Sequence, residues 1–490
     1  MRSKPKRALA GIFSVLGRIL ALAALISAVQ PGLSSAAPKR PVATPGKPAS
    51  IDWDQVTKEA TDLLSQSIRI NTVNPPGDEL PAARLLREKF LANGIPATVF
   101  EPAPGRGIVA ARLHGIGHHT KAIVLLSHLD VVPADPSQWS VPPFSGEVRD
   151  GYIWGRGALD DKGPGVVEAM AMLVVKRMGV LLDRDVLFLA TGDEEEGGKL
   201  GAGWVLKQRP DLFSDAGYLL NEGGGIVPLP QGRKLYAVSV TEKSPLWLKL
   251  TTIGPAGHAA VPPRETAITR LLRALRKIAS YRWPIRVVGP VQRYFRALAP
   301  PGRPGRRYAN LALGLRDDRA FREQFLASPS RAAQVQDTVA ITVLAAGSTP
   351  NVIAPAASAE LDCRLLPGER GEAFLATLRR VISDPRVKFD VLLNFTSGSS
   401  PTRSYLMNAI KSMARRDHDA TVVPTMIAGF TDSHYFRDRG IVSYGFIPLE
   451  LTSADLKTVH GVNERLSVNT LRDGIQRMVE LLTILGGRHQ

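Results

Sequence analysis

The sequence has only one cysteine, Cys363, among 490 residues. A single cysteine excludes a disulfide framework within the chain and any zinc site built on cysteine ligands, so we expect Cys363 to be a small apolar core residue. Long apolar runs and sequence repeats with periods of 20–50 residues are also lacking, which argues against a multi-span membrane protein and a solenoid. With 44% hydrophobic and 22% charged residues, the composition is that of a folded protein of two or three domains.

Acidic residues are scarce relative to basic ones, with 45 Asp and Glu against 62 Lys and Arg, for a formal net charge of +17. Such basicity often indicates a polyanion partner. However, residues 1–18 carry five of these charges and residues 264–307 carry a net +11. The rest of the chain is close to neutral. The charge therefore belongs mainly to one segment, and we expect no nucleic-acid partner.

Residues 1–36 have the pattern of a secretory signal, with a basic start, a short apolar stretch and small residues at the end. We expect cleavage after Ala36 and a flexible linker over residues 37–49. The alternative is an uncleaved membrane anchor over residues 13–29, with Arg18 reaching the membrane surface. The protein is therefore expected to be exported, periplasmic or secreted, and attached to a membrane only if the segment is retained.

Strand and helix patterns alternate from residue 51 onward. Buried strands are predicted over residues 122–127, 185–191 and 218–220, with helices before and between them. This alternation predicts an α/β sheet with helices on both faces. From residue 241, strands of period two with helices on one side indicate an inserted α+β domain. The predicted organisation is a catalytic domain in two parts, residues 50–240 and 399–490, which flank an inserted domain of residues 241–398.

Acids and histidines concentrate in five short motifs, most of which follow a predicted strand. They are SHLDVVP at 127–133, GRGALDDKG at 155–163, DEEEGG at 193–198, NEGGG at 221–225 and VHGVNE at 459–464. Taken singly, a pair of adjacent acids suits a turn and an acidic run suits a solvated face. In open α/β sheets, however, ligands bind at the carboxyl ends of the strands.

Together the motifs supply two histidines and several carboxylates. Imidazole and oxygen ligands without sulfur are typical of hydrolase sites that hold zinc, cobalt or manganese. A carboxylate shared by two cations can hold a water between them, and another carboxylate can take the proton of that water. The residues therefore favour a hydrolase with two metal ions over a protein with one structural ion.

The five motifs, in this order over more than 330 residues, resemble the dinuclear zinc family that includes aminoacylase, carboxypeptidase S and bacterial carboxypeptidase G. Residues 139–157 are most similar to the carboxypeptidase S branch. The resemblance implies a phosphorylase/hydrolase-like catalytic domain with a mixed sheet. It also implies that the inserted domain is a lid that mediates homodimerisation.

Position by position, the resemblance implies that His128, Asp160 and Glu222 hold one divalent ion. The second ion would be held by Glu195 and His460 together with Asp160, which is the shared ligand. Zinc is the expected metal, with cobalt and manganese as alternatives.

The resemblance also implies that Glu194 is the general base, which takes a proton from the water between the metals and returns it to the leaving amine. Asp130 would be the supporting partner behind the ligands. In relatives the peptide bond after Asp160 is cis.

Three residues of the predicted lid match family positions that contact substrate. His258 would stabilise the tetrahedral oxyanion, often from the neighbouring subunit, whereas Asn351 and Arg364 would bind the substrate's carboxylate or carbonyl. A turn residue at 258 and a strand-face charge at 364 are the ordinary alternatives. The chain departs from many relatives at His434, where they have arginine, so specificity is expected to differ if this position faces the substrate. The lid, about 155 residues long, is also longer than the compact lids of the family.

The expected function is hydrolysis of an amide next to a free carboxylate, in a dipeptide or an N-acyl amino acid. One alternative keeps the fold and condenses fatty acids with amino acids, as one branch of relatives does. The other is a non-catalytic binder of an anionic polymer that uses residues 264–307, although a solvated lid face or a dimer surface explains this stretch equally well.

Overall fold

The computed structural model describes residues 50–117, 121–302 and 305–486. The predicted signal and linker, residues 1–36 and 37–49, lie outside the described residues. Pro48–Gln490 forms one compact unit, so the division of this unit at residues 240 and 398 stays a prediction. Within the described ranges, no helix is both long enough and apolar enough to cross a membrane.

The three predicted buried strands, at residues 122–127, 185–191 and 218–220, are present with nearly the same bounds. The strands are β1 (Ala97–Phe100), β2 (Ile108–Leu113), β3 (Ala122–His128), β4 (Val148–Arg149), β5 (Tyr152–Trp154), β6 (Val186–Thr191), β7 (Ala216–Asn221), β8 (Gly225–Pro228), β9 (Lys234–Glu242), β10 (Ser244–Ile253), β11 (Gly257–His258), β12 (Thr338–Ala345), β13 (Val352–Ile353), β14 (Ala356–Leu365), β15 (Lys388–Asn394), β16 (Ala420–Ile427), β17 (Val442–Gly445) and β18 (Arg465–Ser467). The helices are α1 (Trp53–Arg69), α2 (Leu80–Ala92), α3 (Lys162–Arg177), α4 (Ala202–Gln208), α5 (Ala267–Ser280), α6 (Gly289–Ala297), α7 (Arg306–Ala309), α8 (Leu311–Asp317), α9 (Arg319–Leu326), α10 (Pro329–Ala333), α11 (Gly371–Ile382), α12 (Tyr405–Ala414), α13 (Ser433–Arg437), α14 (Ser453–Leu456) and α15 (Val468–Gly486).

The larger sheet has the strand order β1-β2-β6-β3-β7-β17-β9-β16, and β8 pairs with β9. Its centre is parallel, because β3 pairs in parallel with both β6 and β7. Toward the ends, β2 pairs with β6 and β17 pairs with β9 in antiparallel fashion. The sheet is therefore mixed, and the predicted fold class is confirmed.

Helices cover both faces of this sheet. On β3, Ile123 and Leu125 belong to the core beneath α1, α2, α3, α12 and α15. Val124 and Leu126 belong to the opposite core, under α4 and α13. The alternation follows from the period of two along a strand, and it explains why the whole strand is apolar although its two faces meet different helices.

The smaller sheet has the order β12-β14-β10-β15. Its apolar face is buried against α5 and α11, and the core between them includes Leu248, Leu361 and Phe374. Cys363 lies fully buried in this core, which confirms its predicted apolar role.

A second group of helices, α6–α10, forms what we call the helical insert, residues 284–337. Its core contains Val291, Phe295, Leu311 and Phe325, together with Met426 from β16. No elements were predicted here, because residues 284–305 are rich in Pro and Gly and the helices that follow are only four to eight residues long, too short to show a clear helical period. The helical insert therefore joins the smaller sheet to the edge of the larger one.

Part of the basic stretch at residues 264–307 stabilises this region from within. Glu265 forms ion pairs with Arg270 and Arg273. Arg286 donates hydrogen bonds to the carbonyls of Leu366 and Pro367. These arginines form their ion pairs and hydrogen bonds within the chain. Their presence in the basic stretch therefore does not by itself indicate an anionic partner.

Candidate active site

The five predicted metal ligands converge at one edge of the larger sheet. His128 is the last residue of β3, Glu222 directly follows β7, and Glu195 lies just beyond β6. These three strands are parallel neighbours, so their carboxyl ends meet. Asp160 comes from the loop before α3 and His460 from the loop before β18. We call these five residues the ligand cluster.

The side chains of the ligand cluster lie within a few ångströms of one another. His128 Nε2 is 3.0 Å from Asp160 Oδ1 and 3.8 Å from Glu222 Oε1. His460 Nε2 is 3.0 Å from Asp160 Oδ2 and 3.2 Å from Glu195 Oε1. Asp160 therefore faces one histidine with each carboxylate oxygen, which is the arrangement that a shared ligand requires.

Asp130 lies behind the ligand cluster and fixes several of its members. Its carboxylate accepts hydrogen bonds from the backbone N–H groups of Glu194 and Glu195, both at 3.1 Å, and from the Asn74 side-chain amide at 2.9 Å. Its backbone carbonyl lies 2.9 Å from His128 Nδ1, which directs Nε2 toward the other ligands. One buried carboxylate thus positions the acidic run, and its backbone orients the histidine.

A buried network beneath Asp130 escaped the sequence analysis. Arg106 donates a hydrogen bond to Asn74 Oδ1 at 3.2 Å and pairs with Glu79 at 2.8 Å and Asp193 at 3.1 Å. Only Asp193 belonged to a motif. Because the other three are single polar residues in otherwise unremarked segments, no local pattern signals that they meet.

Glu464 holds the loop that carries Asp160. Its carboxylate accepts hydrogen bonds from the N–H groups of Leu159 at 2.8 Å and of Gly157 and Asp160, both at 3.1 Å. The same group pairs with Arg156 at 2.6 Å, and both side chains are buried. The VHGVNE motif contained Glu464, but the residues alone assigned it no role. The peptide bond between Asp160 and Asp161 is cis, as the resemblance implied.

We expect Glu464→Gln to lower the free energy of unfolding by about 3–5 kcal/mol, because it leaves the buried Arg156 guanidinium without its carboxylate. Glu480→Gln is the matched control, since Glu480 pairs with Arg416 at the same 2.6 Å but at the surface. Exposed pairs contribute at most about 1 kcal/mol. Denaturant unfolding measures both variants, and equal losses would show that Glu464 has no special structural role.

The ligand cluster crowds negative charge into a buried space. Burial raises the pKa of Glu222 well above its usual range, and the charge of Asp160 raises it further. The pKa of Glu194 is likewise raised by burial and by Glu222. Burial also opposes the ionisation of Asp160, but hydrogen bonds from His128 and His460 outweigh it and lower its pKa. Positive charge is therefore needed to keep all these carboxylates ionised together.

Protein stripped of metal by a chelator is expected to lose stability as pH rises from about 5 to 10. The raised pKa values of Glu222 and Glu194 mean that the folded state keeps protons which the unfolded chain releases near pH 4.5. Hydrogen bonds with Asp160 and Glu195 raise the pKa of His460 to about 10. The stability that protonated His460 contributes to the folded state is present in full below pH 6.5 and is lost as pH rises through 10. It therefore also makes the metal-free protein less stable as pH rises.

Thermal unfolding across this pH range, with and without added zinc, checks the expectation. Zinc should raise Tm more at about pH 8 than at about pH 5, because its ligands must lose their protons to bind. A metal-free Tm that climbs steadily with pH over the same range would contradict the assigned electrostatics.

The donor set fits divalent cations. Ligand atoms of His128, Asp160 and Glu195 lie within 4.8 Å of one another, as do those of His128, Glu194 and Glu222. Glu194 Oε1 is buried and has no hydrogen-bond partner among the described residues, a costly state unless a ligand or water approaches it. Nitrogen and oxygen donors without sulfur suit zinc, cobalt or manganese.

Two of the predicted lid residues lie at a short, exposed antiparallel pair of strands, β11 and β13; His258 is in β11 and Asn351 directly precedes β13. His258 Nδ1 accepts a hydrogen bond from the N–H of Ala260 at 3.0 Å. The carbonyl of Asn351 accepts one from the N–H of Ala259 at 3.1 Å. In the described part of the chain, no hydrogen bond or ion pair joins His258 or Asn351 to the ligand cluster, and their substrate contacts stay predictions.

Arg364 is half-buried on β14 and is paired within the chain. Its guanidinium donates two hydrogen bonds to Asp362, at 2.7 and 2.9 Å, and lies 4.5 Å from the centre of the Phe430 ring. The structure thus shows the strand-face ion pair that was the ordinary alternative for this residue. Its predicted contact with a substrate carboxylate stays a prediction.

His434, where many relatives have arginine, is buried and not presented to solvent. Its ring stacks on Phe395 with 3.7 Å between ring centres. Burial lowers its pKa to about 3, and the nearby Arg437 adds to the effect. The position therefore carries a neutral aromatic ring in place of a cation.

The ligand cluster lies at the carboxyl edge of a mixed sheet, beside the buried Glu194. This arrangement is typical of a metal-dependent hydrolase. The sequence profile of Peptidase family M20/M25/M40 matches residues 124–484, which is more than half of the chain. The chain belongs to this family. It is a metal-dependent hydrolase of amide or peptide bonds, and the predicted enzyme class is confirmed.

Several relatives span most of the chain. It is 31% identical over 444 residues to N-fatty-acyl-amino acid synthase/hydrolase PM20D1 of Xenopus tropicalis, covering 87% of this chain and 85% of the relative. It is 30% identical over 373 residues to Probable carboxypeptidase S-like 2 of Dictyostelium discoideum, covering 73% and 70%. The solved M20 family metallo-carboxypeptidase Sso-CP2 of Sulfolobus solfataricus shares the fold, with a TM-score of 0.70, 19% identity and coverage of 87% and 99%.

Proposed function

We propose that the chain hydrolyses the amide bond of N-acyl amino acids, or of small dipeptides, that keep a free carboxylate. One observation carries the proposal, the meeting of the five-residue ligand cluster with the buried Glu194. The names of the relatives, an N-fatty-acyl-amino acid synthase/hydrolase and a carboxypeptidase S-like protein, support this substrate class.

Two divalent ions, zinc first and cobalt or manganese as alternatives, would be held by the ligand cluster. His128, Glu222 and Asp160 would hold the first ion. Glu195 and His460 would hold the second together with Asp160, the shared ligand. When bound, such ions polarise an amide carbonyl and lower the pKa of a water, which supplies the reactivity that an amide lacks.

Glu194 would serve as the general base and then as the general acid. Its buried, unpartnered Oε1 is available to accept a proton from the attacking water. Its raised pKa helps it hold that proton and return it to the amine as the amide C–N bond breaks. The products are a carboxylic acid and a free amine.

The lid residues would complete the substrate site. His258 and Asn351 lie at the same exposed pair of strands, β11 and β13, which supports a contact made after the lid moves or by a partner subunit. Arg364 would attract the substrate's carboxylate.

A homodimer formed through the lid domain is the second part of the proposal. β12 lies at the edge of the smaller sheet, and Ile341, Val343 and Leu344 on it are 42–60% exposed. An exposed apolar edge strand readily pairs with another strand, and a second copy offers the same edge by two-fold symmetry. Light scattering should give twice the mass of the chain, and Val343→Lys should give monomers. A monomeric wild type at micromolar concentration would rule this out.

The same site would also catalyse the reverse condensation of a fatty acid with an amino acid, since a catalyst lowers the barrier in both directions. The Xenopus tropicalis relative is named as both a synthase and a hydrolase, which supports condensation as a second activity. Reaction mixtures started from the products should approach the same equilibrium as mixtures started from the N-acyl amino acid.

The amino-terminal pattern supports export to the periplasm or the medium. Intact-mass analysis of the protein recovered from cells should show loss of residues 1–36. A full-length chain in the membrane fraction would instead support the retained anchor.

Hydrolysis of a panel of N-acyl amino acids and dipeptides, each with zinc, cobalt or manganese, tests the proposed activity. Substrates with a free carboxylate should be cleaved, and their amidated counterparts should be cleaved much more slowly. Cleavage of neither kind, or equal cleavage of both, would overturn the proposed substrate class.

A further inference from the structure

A cavity of about 410 Å³ opens onto the ligand cluster at Asp160 and Glu222. Most of its remaining wall is apolar and comes from the catalytic sheet and the loops that follow it, including Ile226, Ile447 and Leu449. Such a cavity is large enough for a small ligand, and it places an apolar group directly beside the reacting centre.

The charge of the cavity restricts what it can hold. Its charged lining residues are Asp160, Asp161 and Glu222, all acids, and none of the described residues that line it is Lys, Arg or His. A substrate carboxylate would therefore meet only like charge and apolar surface here. The free carboxylate must lie elsewhere in the site, and the cavity is left for the uncharged part of the substrate.

One wall of the cavity comes from the helical insert. Tyr294 of α6 and Gln334 line it, and α6 packs directly on β16 of the larger sheet. Met426 of β16 lines the cavity and also belongs to the core of the helical insert. A movement of the helical insert would therefore also move part of the cavity wall, because Tyr294, Gln334 and Met426 belong to both.

We propose that this cavity is the subsite for the acyl group and that the helical insert, chiefly through Tyr294, determines which acyl chains fit. The preferred acyl group is uncharged and apolar, because most of the lining is apolar and the only charges on its described residues are those of Asp160, Asp161 and Glu222. This inference rests on the proposed function, and it adds the substrate's acyl class and the residue that selects it.

The test uses a series of N-acylglycines with acetyl, hexanoyl, decanoyl and tetradecanoyl chains. Turnover is measured with the wild type, and affinity is measured by calorimetry with the Glu194→Gln variant. Each added methylene that enters the cavity should improve kcat/KM and affinity by about two- to fourfold until the cavity is full. A flat series in both measurements would overturn the subsite.

Variants of the cavity wall then identify the selecting residue. Tyr294→Ala should move the preference toward longer chains, and Tyr294→Trp should move it toward shorter ones. Tyr308→Ala is the matched control, because Tyr308 also packs on Phe295 within the helical insert but does not line the cavity. An unchanged preference in both Tyr294 variants, or an equal shift in the control, would remove Tyr294 from this role.

A variant outside the helical insert keeps the test decisive if the Tyr294 variants unfold. Ala428→Leu replaces a small lining residue by a larger one, which reduces the cavity from the catalytic side and should shorten the preferred chain. If the wild type cleaves nothing while affinity for the Glu194→Gln variant still rises with chain length, the proposed function fails and the subsite stands. If all chains are cleaved equally well, the function stands and the subsite fails.

Discussion

Replacing Glu194 by glutamine should slow turnover by about 10²–10⁴-fold, the range that a general base contributes, while the bound metal content stays unchanged. Glutamine keeps the shape of the side chain but cannot accept a proton from water. Glu194 is suited to this role because it is buried beside the ligand cluster and its Oε1 has no partner among the described residues. Steady-state kinetics on an N-acyl amino acid and elemental analysis of the same sample measure both quantities.

The matched control is Glu196→Gln, which changes an exposed glutamate of the same acidic run and should leave turnover near the wild-type value. Full activity in Glu194→Gln would remove Glu194 from the chemistry. Loss of metal together with activity would make Glu194 a ligand, which the 4.8 Å grouping of its carboxylate with His128 and Glu222 also permits.

Replacing Asp160 by asparagine should reduce metal content from two ions per chain to less than one and lower activity by about 10²–10³-fold or more, since the loss of one preorganised donor alone costs about 10²–10³-fold. Asp160 is the residue that faces both His128 and His460, through separate oxygens. Asparagine removes the negative charge and one of the two oxygens. A single substitution should therefore weaken the binding of both ions, and elemental analysis after dialysis measures the loss.

Asp135→Asn provides the comparison, because Asp135 also follows β3 but, among the described residues, its carboxylate accepts hydrogen bonds only from Ser137 and Gln138 of the turn that it caps. This variant should keep both ions and full activity. Two ions retained in Asp160→Asn would show that the two positions do not share this carboxylate.

Much of the fold was predictable because its signals are local. The apolar runs of β3 and β6 indicate buried strands, and the acids placed directly after them indicate a site at the carboxyl edge of the sheet. The resemblance of the five motifs to a known family then implied which residues the structure brings together. The position of the site needs only neighbouring residues and one general rule about parallel strands, whereas the ligand assignments rest on the resemblance.

The supporting network was not predictable because its signals are not local. Arg156 and Glu464 are 308 positions apart, and Asn74 reaches Asp130 across 56 positions. Each is an ordinary polar residue until the fold pairs them. The substrate contacts of His258 and Arg364 stay predictions for a similar reason, since both residues come from the predicted lid and the contact of His258 is expected to come, in many relatives, from the neighbouring subunit.

The structure explains part of the positive charge of residues 264–307 by contacts within the chain. The net charge of +17 suggested a polyanion partner, yet several arginines of residues 264–307 hold the lid region and the helical insert together. The catalytic site itself is acidic. We therefore expect the activity to depend on cations held by this acidic cluster and not on the basic stretch.

The central claim, that the ligand cluster holds two divalent ions with Asp160 as the shared ligand, is tested most directly by metal titration. Chelator-treated protein is titrated with zinc by calorimetry, and the product is checked by elemental analysis. We predict two ions per chain in the wild type, with both sites weakened together in Asp160→Asn. A wild type that binds one ion or none would contradict the claim.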